Sequence, residues 1–152
     1  GVDYAILRLQ NVYGPGQSLF NPYTGIVPLF SRIAKKGESI PLYEDGAILR
    51  DFVFIDDVAA AIRAAMTATR ASRNILDIGS GRSISIGELA GIVAGHYGAP
   101  APHVCGLFRN GDVRHAACNI DAATEALDWA PSVMPQEGVS RLCDWIDGRM
   151  DS

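Results

Sequence analysis

Short apolar runs and amphipathic stripes alternate along this chain, with turn-forming residues between them. Residues 4–9 form a β-compatible apolar run too short for a helix, stopped by Gly14, Pro15 and Gly16, and predict a strand. Residues 17–25 are polar, proline-containing and irregular. From 26 to 36, Ile26, Leu29, Phe30 and Ile33 recur at the three-and-four spacing of one helix face, and Gly37 supplies a stop. Residues 40–43, the Glu44-Asp45-Gly46 turn and residues 48–54 read as strand, turn, strand. Asp56 or Asp57 is placed to cap a helix that directs Val58, Ala61, Ile62, Ala65 and Met66 to a core.

The second half repeats the alternation. Residues 74–78 form another short strand, ending in Gly79-Ser80-Gly81. Ser85 and Glu88 have the spacing of a capping box, in which hydroxyl and carboxylate satisfy each other's backbone amides, before a helix to Ala94 or Tyr97. Residues 98–111, rich in Gly, Pro and Ala, predict a surface loop. Asp121 is placed to cap a short helix to Leu127, and Pro135 suits the first position of a final helix. That helix carries Val139, Leu142, Cys143, Ile146 and Met150 on one stripe, making Cys143 a small core residue. Strands alternating with helices place the chain in the α/β class. A strand followed by Gly79-x-Gly81 and a helix is how a dinucleotide fold begins, but Ile84 replaces the third glycine and blocks close helix-strand approach, so a structural turn is expected.

Composition narrows the function. Thirteen basic against seventeen acidic residues give a net charge of −4, which disfavours nucleic acid as a partner. No apolar run approaches the roughly 18 residues of a membrane span, and no basic region followed by an apolar core opens the chain, so no membrane is expected and the location is read as cytoplasmic. Cys105, Cys118 and Cys143 are odd in number and form no C-x-x-C pair, which fits a reducing compartment. His103-x-Cys105 and His115-x-x-Cys118 carry ligand chemistry without the spacing of a zinc module, and His96 stands apart, so no metal is predicted. No serine has a nucleophile-elbow context. Gly1 in place of an initiator methionine fits a processed or truncated product.

Two motifs carry the functional signal: Arg8-Leu9-Gln10-Asn11-Val12-Tyr13-Gly14-Pro15-Gly16-Gln17, and Arg50-Asp51-Phe52-Val53-Phe54-Ile55-Asp56-Asp57-Val58. Together they resemble the substrate half of the NAD-dependent sugar-nucleotide epimerase/dehydratase family, the extended short-chain dehydrogenases. The stretch from Gln10 to Gly25 looks most like 4-epimerases of the dTDP-rhamnose type. The resemblance implies the substrate-binding half of an extended Rossmann-type epimerase, with short mixed strands and helices and without the N-terminal dinucleotide-binding sheet. Residues 1–152 would form a single substrate-binding domain or fragment, with 1–16 derived from the parent sheet. NAD would be bound mainly by the missing N-terminal half. The implied chemistry is transient hydride transfer from the sugar C4, rotation of a 4-keto intermediate and hydride return. No catalytic residue is expected in this chain: the family's Tyr-x-x-x-Lys is unmet at Tyr13, where Gln17 holds the lysine position, and at Tyr4, where Arg8 does. Dehydration or decarboxylation by the same family, and a non-catalytic nucleotide-sugar module, are the alternatives. A lone strand 4–9 would expose apolar faces and unpaired edge groups, so the N-terminal half of the same enzyme or a second copy is expected as partner, with a homodimer as the assembly.

Guanidinium groups suit pyrophosphate oxygens through paired, charge-assisted hydrogen bonds. Arg50 is the first candidate, by resemblance the arginine that reaches the substrate pyrophosphate; on pattern alone, an edge-strand arginine paired with Asp51 or Glu44 weighs equally. Arg109 resembles the second pyrophosphate arginine, with Arg114 its competitor. Asn11 can donate and accept at once beyond a strand end, where ligands of open α/β sheets sit, or can satisfy its own turn. Pro41 and Tyr43 resemble the pair that packs the nucleobase, a core tyrosine being the alternative. The backbone of Leu9, Gln10, Asn11 and Val12 would pass beside the nicotinamide.

Overall fold

The computed structural model describes residues 2–19, 25–108 and 111–150, the side chain of residue 150 apart. Among the described residues, eight short strands and five α-helices follow one another: β1 Ile6–Leu9, β2 Asn11–Tyr13, α1 Ile26–Lys35, β3 Pro41–Leu42, β4 Leu49–Phe54, α2 Ile55–Ala65, β5 Ile75–Ile78, β6 Ser83–Ser85, α3 Ile86–Tyr97, β7 His103–Val104, β8 His115–Ala116, α4 Asp121–Leu127 and α5 Pro135–Met150. The fold is α/β with mixed sheets.

Strand β4 organises the molecule. Its second half pairs in parallel with β2, Asn11 opposite Phe52. Its first half lies between β6, antiparallel with Arg50 opposite Ile84, and β8, parallel with Arg50 opposite Ala116. Because side chains alternate across a strand, β4 divides two cores. Phe52 and Phe54 join α1, α3 and α5 in the larger one, with Val139, Leu142 and Cys143 fully buried. Val53 joins Val58, Leu76, Ile78 and the α4 residues Ala123 and Leu127 in the smaller one. Separately, β1 and β5 form a parallel ribbon in which Ile6 (47%), Leu9 (45%) and Ile75 (57%) stay exposed.

Local chemistry explains the helix ends. Ser85 accepts from the Glu88 amide at 3.0 Å, and the Glu88 carboxylate accepts from the Ser85 amide at 2.8 Å, completing the expected capping box. At the other end of α3, Gly98 takes a left-handed φ of 61°.

Other expectations change. Helix α2 starts at Ile55, so Asp56 and Asp57 lie inside its first turn and neither caps it. Asp57 is buried and instead accepts from the Ser132 amide and hydroxyl and the Val133 amide, tying α2 to the segment before α5. Ile62 (45%) and Met66 (80%) face out, since the core contacts of α2 run through Val58 and Ala61. Asp121 is the first residue of α4 rather than its cap, and its amide donates to Asn119 Oδ1. Residues 98–111 are not loop throughout, because β7 pairs in parallel with β3, Pro41 opposite His103. Tyr43 lies just beyond β3.

Candidate functional site

Beside β4, a cavity of about 700 Å³ opens against α1. Helix α1 serves both the larger core and the cavity wall. Val27, Phe30 and Ala34 are buried in the core, Val27 and Phe30 also reaching the cavity, and Leu29, 43% exposed, joins Ile26 and Ile33 in the cavity wall. Pro41 and Tyr43, which the sequence placed on one strand face, line the cavity together, with Tyr43 38% exposed. Asn11 and Arg50 line it from β2 and β4. The first turn of α1 also faces it, with Gly25 as N-cap and no side-chain capping bond among the described residues.

Arg50 is held on two sides. One terminal nitrogen donates to the Leu49 carbonyl at 2.8 Å and the other to Asp112 Oδ1 at 2.8 Å, so neither Asp51 nor Glu44 is its partner. Its side chain is only 16% exposed. Among the described residues, the three remaining N–H groups of the guanidinium meet no acceptor. Asn11 is also oriented: its Nδ2 donates to the Asp51 carbonyl at 2.9 Å, leaving Oδ1 as the available acceptor.

Arg114 stands apart from the cavity wall. It pairs with Glu44 at 3.1 Å and with Asp45, and its guanidinium holds the Asp45 carboxyl below the usual carboxylate range. Arg109 lies outside the described residues. Tyr13 is a core side chain, edge-on to Phe54 at 5.5 Å, and burial drives its hydroxyl pKa far up. Leu9 is exposed at the end of β1, and the Gln10 amide donates to the Ile78 carbonyl, so the backbone of Leu9 to Val12 forms the short crossing between the ribbon and the β4 sheet.

The Gly79-Ser80-Gly81 turn has an internal occupant. Fully buried Asp51 accepts from the Ser80 amide at 2.6 Å, the Ser80 hydroxyl at 2.8 Å and the Gly81 amide at 3.1 Å. A carboxylate of the chain itself fills the place where such a turn would hold a phosphate. A Cβ on Gly79 would stand 2.7 Å from Asp51 Oδ2, so glycine is required here by close approach. Cys118 Sγ adds a weak contact to Asp51 Oδ2 at 3.6 Å, and burial together with the Asp51 charge pushes its thiol up to about 12. Among the described residues, no group of three or more His, Cys, Asp or Glu side chains is arranged to hold a metal ion.

Two cavity residues were not singled out from the sequence. Asp112 is 62 residues from Arg50 in sequence. Gln17 Oε1 is buried with no hydrogen-bond partner among the described residues, a feature only coordinates reveal.

The NAD dependent epimerase/dehydratase family model matches residues 1–81, more than half of the chain. This chain belongs to that family. A dTDP-L-rhamnose 4-epimerase of Burkholderia thailandensis is 54% identical over 147 residues, covering 97% of this chain and 40% of that relative. A putative UDP-glucose 4-epimerase of Methanocaldococcus jannaschii is 33% identical over 96% of this chain and 46% of its own length. The crystal structure of the Thermotoga maritima UDP-glucose 4-epimerase with UDP-glucose superposes with a TM-score of 0.89 at 30% identity, covering 98% of this chain and 47% of that one. The chain therefore spans less than half the length of these epimerase/dehydratase relatives, and its α/β fold is consistent with the C-terminal half of an epimerase. Other relatives in the family include a dTDP-glucose 4,6-dehydratase and a UDP-N-acetyl-alpha-D-glucosaminuronate decarboxylase. No helix among the described residues is long and apolar enough to cross a membrane.

Proposed function

We propose that this chain is the substrate-binding portion of an NAD-dependent nucleoside-diphosphate-sugar 4-epimerase, acting as one unit over residues 1–152. The observation that carries this reading is Arg50: a mostly buried guanidinium in a cavity wall, with three N–H groups still to satisfy among the described residues. Donors open to the cavity in this way suit a ligand with several anionic oxygens, and a pyrophosphate provides them. The uncapped first turn of α1 in the same wall adds amides and partial positive charge. Pro41, Tyr43, Leu29 and Ile33 offer an apolar slot for a nucleobase, and Asn11 Oδ1 is placed to accept a sugar hydroxyl.

The residues fit a marginal contact with NAD rather than a dinucleotide site, because Asp51 already occupies the Gly79–Gly81 amides. Exposed Leu9 and the Gln10–Val12 backbone would border the nicotinamide, with the cofactor held mainly by chain outside these residues. Bound NAD supplies hydride removal from, and return to, the sugar C4. This chain's own part is to anchor diphosphate and base while leaving the hexose room to turn, so binding energy remote from the reacting carbon serves its orientation. The open β1–β5 ribbon, with apolar Ile6 and Ile75 exposed, would meet a dinucleotide-binding half or a second copy in a cytoplasmic dimer.

Calorimetric titration with dTDP, UDP and GDP, with NAD for comparison, tests the proposal. One nucleoside diphosphate should bind and NAD should not. Arg50→Ala removes charge-assisted bonds worth about 2–3 kcal/mol and should weaken that binding roughly 30- to 150-fold, with the thermal unfolding midpoint little changed. No binding by any diphosphate, or binding indifferent to Arg50, refutes it. Product analysis in a protein carrying both halves separates epimerisation from dehydration or decarboxylation.

A further inference from the structure

We propose that Arg114 is a positioning residue for nucleobase packing, acting through the left-handed turn that follows Tyr43. The inference rests on the substrate-binding reading above and extends it to a residue outside the cavity wall. Tyr43 lines the cavity, and the chain reverses directly after it, with the Gly46 amide donating to the Tyr43 carbonyl at 3.1 Å. Glu44 takes a φ of 53° in that turn. For a residue with a side chain this conformation is disfavoured, and it persists only where surrounding contacts impose it. Two contacts do so. The Glu44 amide donates to the Leu107 carbonyl at 2.7 Å, and the Glu44 carboxylate accepts from Arg114 at 3.1 Å. The other terminal nitrogen of Arg114 reaches Asp45, so one guanidinium spans both carboxylates of the turn and offsets the repulsion between them. Arg114 is itself fixed at its backbone, where its carbonyl accepts from the Leu49 amide at 2.9 Å.

An aromatic side chain ordered before its ligand arrives loses less freedom on binding. Without Arg114, Glu44 is released from its strained conformation, and the adjoining Tyr43 samples orientations that no longer face the slot. Glycine at position 44 would remove the need for the guanidinium, because it holds a left-handed φ without strain and leaves only one carboxylate in the turn. Two other roles for Arg114 predict different outcomes. As a direct ligand of the diphosphate, it would matter whatever stands at positions 43 and 44. As an ordinary surface ion pair, its loss would leave affinity unchanged. A positioning residue weakens binding only while Tyr43 is present and position 44 is strained.

Calorimetric titration of dTDP and UDP into the chain and its variants separates the three. Arg114→Ala should weaken binding about fourfold, and Arg114→Lys, which keeps the charge without the two-pronged reach, should fall between. In the Glu44→Gly background, Arg114→Ala should cost less than about twofold, and the same should hold in the Tyr43→Ala background, as expected when one residue acts only through its neighbours. The Glu44→Gly pair decides alone if Tyr43→Ala binds too weakly to titrate. Thermal melts on each variant keep loss of fold apart from loss of affinity, and Arg114→Gln carries the cycle if Arg114→Ala does not fold. Unchanged binding in Arg114→Ala overturns the inference, as does a loss that Glu44→Gly fails to abolish or that persists without Tyr43. If neither diphosphate binds the unaltered chain, the substrate-binding reading fails and this inference with it; if binding is intact but indifferent to Arg114, that reading stands and only the role of Arg114 falls.

Discussion

Replacing Asp51 by alanine should cost the fold about 3 kcal/mol. The carboxylate is completely buried and accepts two backbone amides and one hydroxyl from Ser80 and Gly81. Hydrogen bonds to a charged acceptor contribute about 1.5–3 kcal/mol each, so gross losses of about 4.5–9 kcal/mol are in play. Two effects offset part of that. The Gly81 amide belongs to an exposed residue and can turn to water, and removing a buried charge relieves its desolvation. A net cost of about 3 kcal/mol remains, a large fraction of the stability of an ordinary domain. Asparagine keeps one acceptor but sets an NH₂ against an amide donor, so it should recover little of the loss. The assay is equilibrium urea unfolding followed by far-UV circular dichroism. With a slope near 2 kcal/mol per molar, the midpoint should fall by about 1.5 M at unchanged slope. A shift corresponding to less than about 1 kcal/mol would refute the argument that this carboxylate holds the turn.

Two further outcomes are expected. Gly138→Ala, normally helpful inside a helix by about 1 kcal/mol, should instead destabilise the protein, because the new Cβ would collide with the Tyr13 hydroxyl and lie 2.9 Å from the Phe54 ring; adding Tyr13→Phe should restore part of the loss in the same urea assay, and no rescue would remove the clash as its cause. Cys118 carries a thiol pushed up to about 12 by burial and by Asp51. Folding therefore favours the protonated thiol: at about pH 8 its iodoacetamide labelling should be on the order of a thousandfold slower than a free thiol's. The rate should rise with pH until that value and increase in Asp51→Asn, whereas fast labelling at neutral pH would contradict the burial.

Features encoded within a few residues were legible before any coordinates. Ser85 and Glu88 signal their capping box because both partners lie within one turn. Ile84 in the third glycine position correctly demoted the Gly79–Gly81 turn, but the physical reason for that turn, the Asp51 carboxylate, lies 29 residues upstream of Ser80 and carries no local mark. The two-residue strands β7 and β8 are too short to show any periodicity, and tertiary pairing alone creates them. Asp56 and Asp57 look like caps because helices favour aspartate at their start; Asp57 was recruited by the distant Ser132–Val133 amides, and the helix begins before it. At the cavity, Asn11, Pro41, Tyr43 and Arg50 converge in the wall, while Arg114 is drawn off by Glu44 and Asp45, acidic neighbours across a turn that sequence spacing does not reveal.

Strand β4 also has a consequence for engineering. Arg50 and Phe52 look into the cavity, while Asp51 and Val53 lock the opposite side to the Ser80 turn and the smaller core. Adjacent codons thus answer to separate selection pressures: position 50 can be randomised to retune ligand preference, provided 51 and 53 are left unchanged and position 52 keeps the aromatic ring that also packs in the larger core.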